Sequence, residues 1–148
     1  MSDVGRGLDG QAKLCGQVLR AVLASTVSSN PRSTLALLLR ADSMMKITTV
    51  NYGTYWNYDL ALGFARRGEY AAAAAAVRRR FVDASNLPRR LVLSLRQEGR
   101  WAAQAGDIAG AIEAYEHYLL WRGDPEPALV PQRDSVRAEL AAISRARR

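Results

Sequence analysis

Arg96 and Arg100 stand four residues apart in RLVLSLRQEGRW, so a helix there carries both guanidinium groups on one face. Two planar forks side by side suit carboxylates, each bound through parallel N–H···O contacts. The competing reading is a solvated helix face, or pairing with Glu98 or Asp59. Glu113 and Glu116 lie one turn apart, yet nothing beside them promises the burial that tunes a carboxyl for proton transfer. Cys15 is the only cysteine and His117 the only histidine. A disulfide framework and a zinc site built from Cys and His clusters are therefore excluded. Cys15, in LCGQVL, reads as a small buried hydrophobe, and His117 as a helix-surface or groove residue. The chain has no Gly-rich phosphate loop and no nucleophile elbow. The expectation is a protein that is not an enzyme and has no cofactor and no metal.

The remaining chemistry is charge and aromatic surface. The net charge is +7, and only Lys13 and Lys46 are lysines. Arginines gather at Arg66 and Arg67, at Arg78 to Arg80, at Arg89 and Arg90, and in SRARR (144–148). This excess favours acidic partners and raises weak affinity for nucleic acid, although no DNA- or RNA-binding motif accompanies it. Arg78 to Arg80 fall where a helix should end, so they serve either its dipole or a partner. NYGTYWNY (51–58) holds three tyrosines and Trp56, fit for packing one element on another or for a recognition platform.

The elements that must carry these residues are helical. With 148 residues and 49% hydrophobic content, the chain can build one domain with a real core. Ile47 to Val50 is the one β-prone run and is too isolated to make a sheet. MSDVGRGLDG predicts a flexible N-terminus over 1–10. Turn and breaker signals then separate helices at about 11–28, 33–46, 55–67, 69–84, 88–105, 107–122 and 131–146, with Ser33 as an N-cap and Gly68 and Gly106 as C-caps. No stretch reaches the apolar length of a membrane span. Val18 to Val27 is interrupted by Arg20 and is not read as a secretory signal, so a cytoplasmic location without membrane contact is expected.

Two of these helix pairs repeat. GEYAAAAAAVRRRF (68–81) aligns without gaps on GDIAGAIEAYEHYL (106–119), 38 residues on. Gly68 meets Gly106, Glu69 meets Asp107, Ala73 meets Ala111, and Val77 meets Tyr115. The pattern resembles tetratricopeptide (TPR) repeats, whose form is helix–turn–helix with W-x2-L-G-x2-Y, then A-x3-F, then P. Leu60, Ala61 and Phe64 stand at the L, G and Y positions of one unit, with Ala73 and Val77 at A and F. Gly99, Ala102, Ala111 and Tyr115 stand at the corresponding positions of the next. Asn57 and Leu95 replace the tryptophan. Residues 99–140 resemble the C-terminal repeat region of large bacterial kinase or transcriptional regulators.

The resemblance implies an all-α fold, a right-handed stack of antiparallel helix hairpins forming a TPR-like superhelix. Its single domain spans 11–148, with hairpins at about 11–46, 55–84 and 88–122 and a capping helix at about 131–146. Ala73 and Ala111 would sit in the closest helix–helix contacts, against Ala61 and Gly99. It further implies a non-catalytic module of a bacterial signalling or regulatory protein that binds a protein or an acidic peptide. Tyr55, Tyr58 and Leu62 would line the concave face in one unit, and Arg96 and Arg100 in the next. A hairpin over 11–46 with an uncovered face would favour a homo-oligomer. The alternative is a basic helical protein that binds nucleic acid.

Overall fold

The computed structural model describes residues 3–27, 30–46, 53–79 and 88–146. Among them the regular structure is helical, with no strand: α1 (Asp3–Val27), α2 (Pro31–Lys46), α3 (Gly53–Ala65), α4 (Tyr70–Arg78), α5 (Pro88–Gln104), α6 (Ile108–Trp121) and α7 (Val130–Ala146). A 3-10 turn, Pro127–Leu129, leads into α7. The all-α expectation holds. The chain forms two compact units, Met1–Arg79 and Arg80–Arg148, where the sequence reading has one continuous stack. The β-prone run Ile47 to Val50 and the expected extension of the alanine helix through 80–84 lie outside the described residues.

In the first unit, α1 and α2 each bury a stripe at helical spacing. On α1 it is Leu14, Val18, Ala21 and Ser25; on α2 it is Thr34, Leu38, Ala41 and Met45. α1 begins at Asp3 rather than near Gln11, and its other face leaves Leu19, Leu23 and Val27 exposed. α3 packs on α1, α2 and α4. The closest approach is at Gly63, where a Cβ would lie 2.6 Å from Leu38 Cδ2 and 3.5 Å from Ser25 Oγ. Arg66 and Arg67 at the end of α3 reach back to α1 and α2. Arg66 donates to Ser25 Oγ, and Arg67 to the Ala24 carbonyl and Thr34 Oγ1.

Ser33 does not cap α2, in contrast to the sequence reading. The cap is Asn30, whose Oδ1 accepts from the Ser33 N–H at 3.2 Å. Pro31 then takes the first helical position, where its missing N–H costs nothing.

The two aligned hairpins, α3–α4 and α5–α6, turn with the same hydrogen bonds. The Glu69 N–H donates to the Phe64 carbonyl and the Gly68 N–H to that of Ala65, while Asp107 and Gly106 donate to Ala102 and Ala103. This is the Schellman arrangement, in which the residue after the helix adopts a left-handed backbone. Gly68 and Gly106 do so, at φ +76 and +82. The Tyr70 N–H then donates to Gly68, and Ala73 to Glu69. Ile108 and Ala111 repeat both bonds on Gly106 and Asp107. Two differences separate the copies. The Arg67 N–H donates to the Phe64 carbonyl, whereas that of the aligned Ala105 donates to Trp101. Asp107 Oδ1 accepts from the Gly110 N–H at 3.0 Å, whereas the Glu69 side chain makes no capping bond.

The small residues of the aligned hairpins are buried. Ala61, Ala73, Ala102 and Ala111 have no exposed surface. Gly99 makes room chiefly for Tyr115, because a Cβ there would fall on the tyrosine ring. The aligned positions in the first unit hold Ala61 and Val77, both buried. There the larger alanine accompanies a much smaller valine. Of the alanine run, Ala73, Ala74 and Ala76 are buried, and Ala71 and Ala75 are exposed.

In the second unit, Val92, Leu95, Tyr115, Tyr118 and Val136 form the core, closed by Leu91, Leu119, Leu140 and Ile143. Val136, Leu140 and Ile143 are the stripe expected on the last helix. They seat α7 against α6, and Glu139 of α7 reaches Arg100 on α5.

Candidate functional site

The polar chemistry of the second unit converges where α5, α6 and α7 meet. Glu139 on α7 lies among three donors. Arg100 on α5 holds it with both arms of a fork, Nε to Oε2 at 3.0 Å and Nη2 to Oε1 at 2.5 Å. Tyr115 on α6 donates its hydroxyl to Oε2 at 2.7 Å, and Ser135 donates to Oε1 at 3.0 Å from one turn earlier on α7. The Arg100 bonds hold the Glu139 carboxyl down to about 2, against burial that works the other way, with help from Tyr115 and Ser135. Arg100 is held more firmly charged by the same pairing. Burial, and then the Glu139 carboxylate, push the Tyr115 hydroxyl well above its ordinary range.

One turn away, positive charge outweighs negative around the second tyrosine. Tyr118 on α6 donates its hydroxyl to Gln132 Oε1 on α7 at 3.1 Å. Burial pushes its hydroxyl above the ordinary range, and the nearby positive charges of Arg96, Arg122 and Arg100 oppose that rise. Arg96 comes from α5, and Arg122 closes α6, four residues after Tyr118. Both are half-buried, and the Nε of each is buried without a hydrogen-bond partner. Neither pairs with a carboxylate among the described residues. Glu139, the one carboxylate in the cluster, already accepts from Arg100, Tyr115 and Ser135.

The residues expected to line one groove are distributed over the two units. Tyr58 and Leu62 are half-buried on α3, Tyr58 with an interaction of its own. Tyr55 stands on the same helix, its side chain outside the described residues. Arg96 and Arg100 belong to the second unit. Arg100 differs from expectation: the carboxylate in its fork comes from α7 and not from a partner. Only Arg96 of the pair keeps a donor without an acceptor.

Of the arginines read as a basic patch, Arg66, Arg67, Arg78 and Arg79 are committed within the protein, and Arg133 and Lys46, outside that patch, are paired too. Arg79 pairs with Asp42 and donates to Asn57 Oδ1 at 3.3 Å, while Asn57 Nδ2 donates to the Arg79 carbonyl at 3.1 Å. Lys46 completes this group at 2.8 Å from Asp42. Arg133 pairs with Asp134. Arg78 also has a partner. His117, Glu113 and Glu116 are exposed, and Cys15 is half-buried with a free thiol.

Sequence reasoning missed Tyr118, Arg122, Gln132 and Glu139. Tyr118 and Arg122 share the i, i+4 spacing that singled out Arg96 and Arg100, so that signal was present. Gln132 and Glu139 reach the cluster only through the packing of α7, which no spacing encodes. No family model, curated protein or solved structure matches the chain.

Proposed function

We propose that this chain is a non-catalytic interaction module built on TPR-like helix hairpins, and that it binds a protein or peptide within a signalling or regulatory protein. The observation that carries the reading is the duplicated hairpin, whose Schellman turn recurs 38 residues apart. Repeated hairpins of this kind supply extended side-chain surfaces held on rigid elements. Exposed apolar residues accompany the repetition: Leu19, Leu23 and Val27 in a row on α1, Leu37 and Leu39 on α2, and Leu120 and Trp121 on α6. Such groups outside the core favour contact with another polypeptide.

The nucleic-acid alternative depends on free arginines, and the engagement of Arg67, Arg79, Arg100 and Arg133 within the protein weakens it. Selection of a displayed random-peptide library on the full chain tests the reading. A recurring sequence whose synthetic form binds the chain in solution is expected. Failure to enrich any sequence, with duplex DNA bound at a salt slope near −0.9 per contact, would refute it.

A further inference from the structure

One face of α1 carries an apolar stripe that the first unit does not use. Ala12, Gly16, Leu19, Leu23 and Val27 recur at three- and four-residue spacing, so one side of the helix presents all five, and each is exposed. The residues that seat α1 in the core, Leu14, Val18, Ala21 and Ser25, occupy the opposite side. We infer that the stripe is the docking surface for an amphipathic helix of another protein, one that carries acidic residues beside its apolar face. The inference rests on the interaction-module reading and names the surface and the chemistry of the partner.

Three observations carry it. First, the charge around the stripe has one sign. Lys13 and Arg20, seven residues apart, run along its edge, and Arg32 and Arg40 stand exposed on α2. None of the four makes an ion pair among the described residues. Of the carboxylates described on α1 and α2, there is only Asp42, which is buried and held by Arg79 and Lys46. Acidic side chains flanking an incoming apolar face would meet cations that have no internal counterpart.

Second, nothing inside the chain calls for Gly16. A Cβ there would meet nothing within 4 Å, and glycine within a helix is less stable than alanine. Elsewhere in the protein a helical glycine admits a large side chain from a neighbouring helix, Leu38 at Gly63 and Tyr115 at Gly99. Gly16 offers the same notch, beside Leu19, to a helix from outside. Third, exposure rises along the stripe from 45% at Leu19 to 59% at Leu23 and 81% at Val27. A row of aliphatic groups on one rod is the surface that a second rod reads with anchors one turn apart.

The same observations weigh against other occupants. A second copy of the chain, packed stripe to stripe, would set Lys13 and Arg20 against their own equivalents. An anionic bilayer would answer the charge, but it gains nothing from the notch at Gly16, and the stripe holds no aromatic residue for the headgroup level.

The test uses the full chain and a fluorescein-labelled helical peptide of about 20 residues, long enough to hold helix in water, with leucine along one face and glutamate on both flanks. Two peptides of the same design carry glutamine or lysine in place of glutamate. Fluorescence anisotropy reads binding to the native chain, to the Leu19→Gln/Leu23→Gln double variant, to Gly16→Gln, to Arg20→Gln and to Leu120→Gln, an exposed leucine of the second unit. Circular dichroism checks that helicity is kept, as expected for substitutions on an exposed face. Sedimentation velocity reads self-association, and flotation with phosphatidylglycerol vesicles reads membrane binding.

The expected result is binding of the glutamate peptide, weaker binding of the glutamine peptide and none of the lysine peptide. Affinity should fall about tenfold in the double variant and in Gly16→Gln, fall about threefold in Arg20→Gln, and stay unchanged in Leu120→Gln. Equal binding of the glutamate peptide by the native chain and the double variant would overturn the surface while leaving peptide binding standing. Equal binding of the glutamate and lysine peptides would overturn the acidic partner. Self-association or vesicle binding that the double variant abolishes, with no peptide bound, would give the stripe to a second copy or a bilayer and overturn the inference. Failure of all three peptides would also overturn it. If the displayed library enriches nothing either, the peptide-binding reading falls with it.

Discussion

Replacing Glu139 with Gln removes the one carboxylate of the second unit's polar cluster and keeps its shape. In the native chain the carboxyl is lowered from 4.5 to about 2 by Arg100, Tyr115 and Ser135. A lowering of that size corresponds to at most about 3 kcal/mol of folding free energy. Solvent reaches 28% of the Glu139 side chain and 35% of that of Arg100. Screening therefore brings the expected contribution to about 1–2 kcal/mol. The sign follows from the depressed carboxyl: the stabilisation is present above pH 4.5 and is lost as the pH falls toward about 2. Urea unfolding of the native chain and of Glu139→Gln, followed by circular dichroism, should differ by that amount near neutral pH. The difference should shrink on acidification and vanish near pH 2. A difference that does not change across this range would refute the electrostatic account, and so would a carboxyl titration of Glu139 by NMR with its midpoint at 4.5 or above.

Two further substitutions probe the hairpins, each with an internal control. Gly99→Ala should destabilise by about 1–3 kcal/mol because its Cβ falls on the Tyr115 ring. Gly16→Ala, in open space on α1, should be neutral or stabilising by about 0.5–1 kcal/mol in the same thermal or urea unfolding assay. Asp107→Ala should cost about 1 kcal/mol through loss of the bond to the Gly110 N–H, whereas Glu69→Ala, at the matched position without such a bond, should leave the unfolding midpoint almost unchanged.

What could be read from the chain followed the distance over which the cause acts. Gly68 and Gly106 ended their helices as expected because a left-handed turn is a local requirement. Pro88 likewise opens its helix. Ala61, Ala73 and Ala111 were legible because repetition exposes which positions must stay small. Ser33 was the wrong cap because two polar residues three positions apart competed for that role, and Asn30 gains from Pro31 behind it. The site was half legible. Helical spacing put Arg96 and Arg100 on one face, but it could not show that Glu139, 39 residues beyond Arg100, would complete one fork and leave the other open. Gly63 was missed for the same reason: it meets Leu38, on the preceding helix and 25 residues earlier.

The matched reversals at Gly68 and Gly106 also bear on the route by which the chain acquires its shape. Every bond that defines them joins groups five residues apart or fewer. Neither reversal waits for a distant segment to arrive, so both can close while the rest of the polypeptide is still searching. Such short-range closure makes each pair of rods a self-starting nucleus. The late, entropically expensive events are then confined to bringing α1 onto α3 and α7 onto α6.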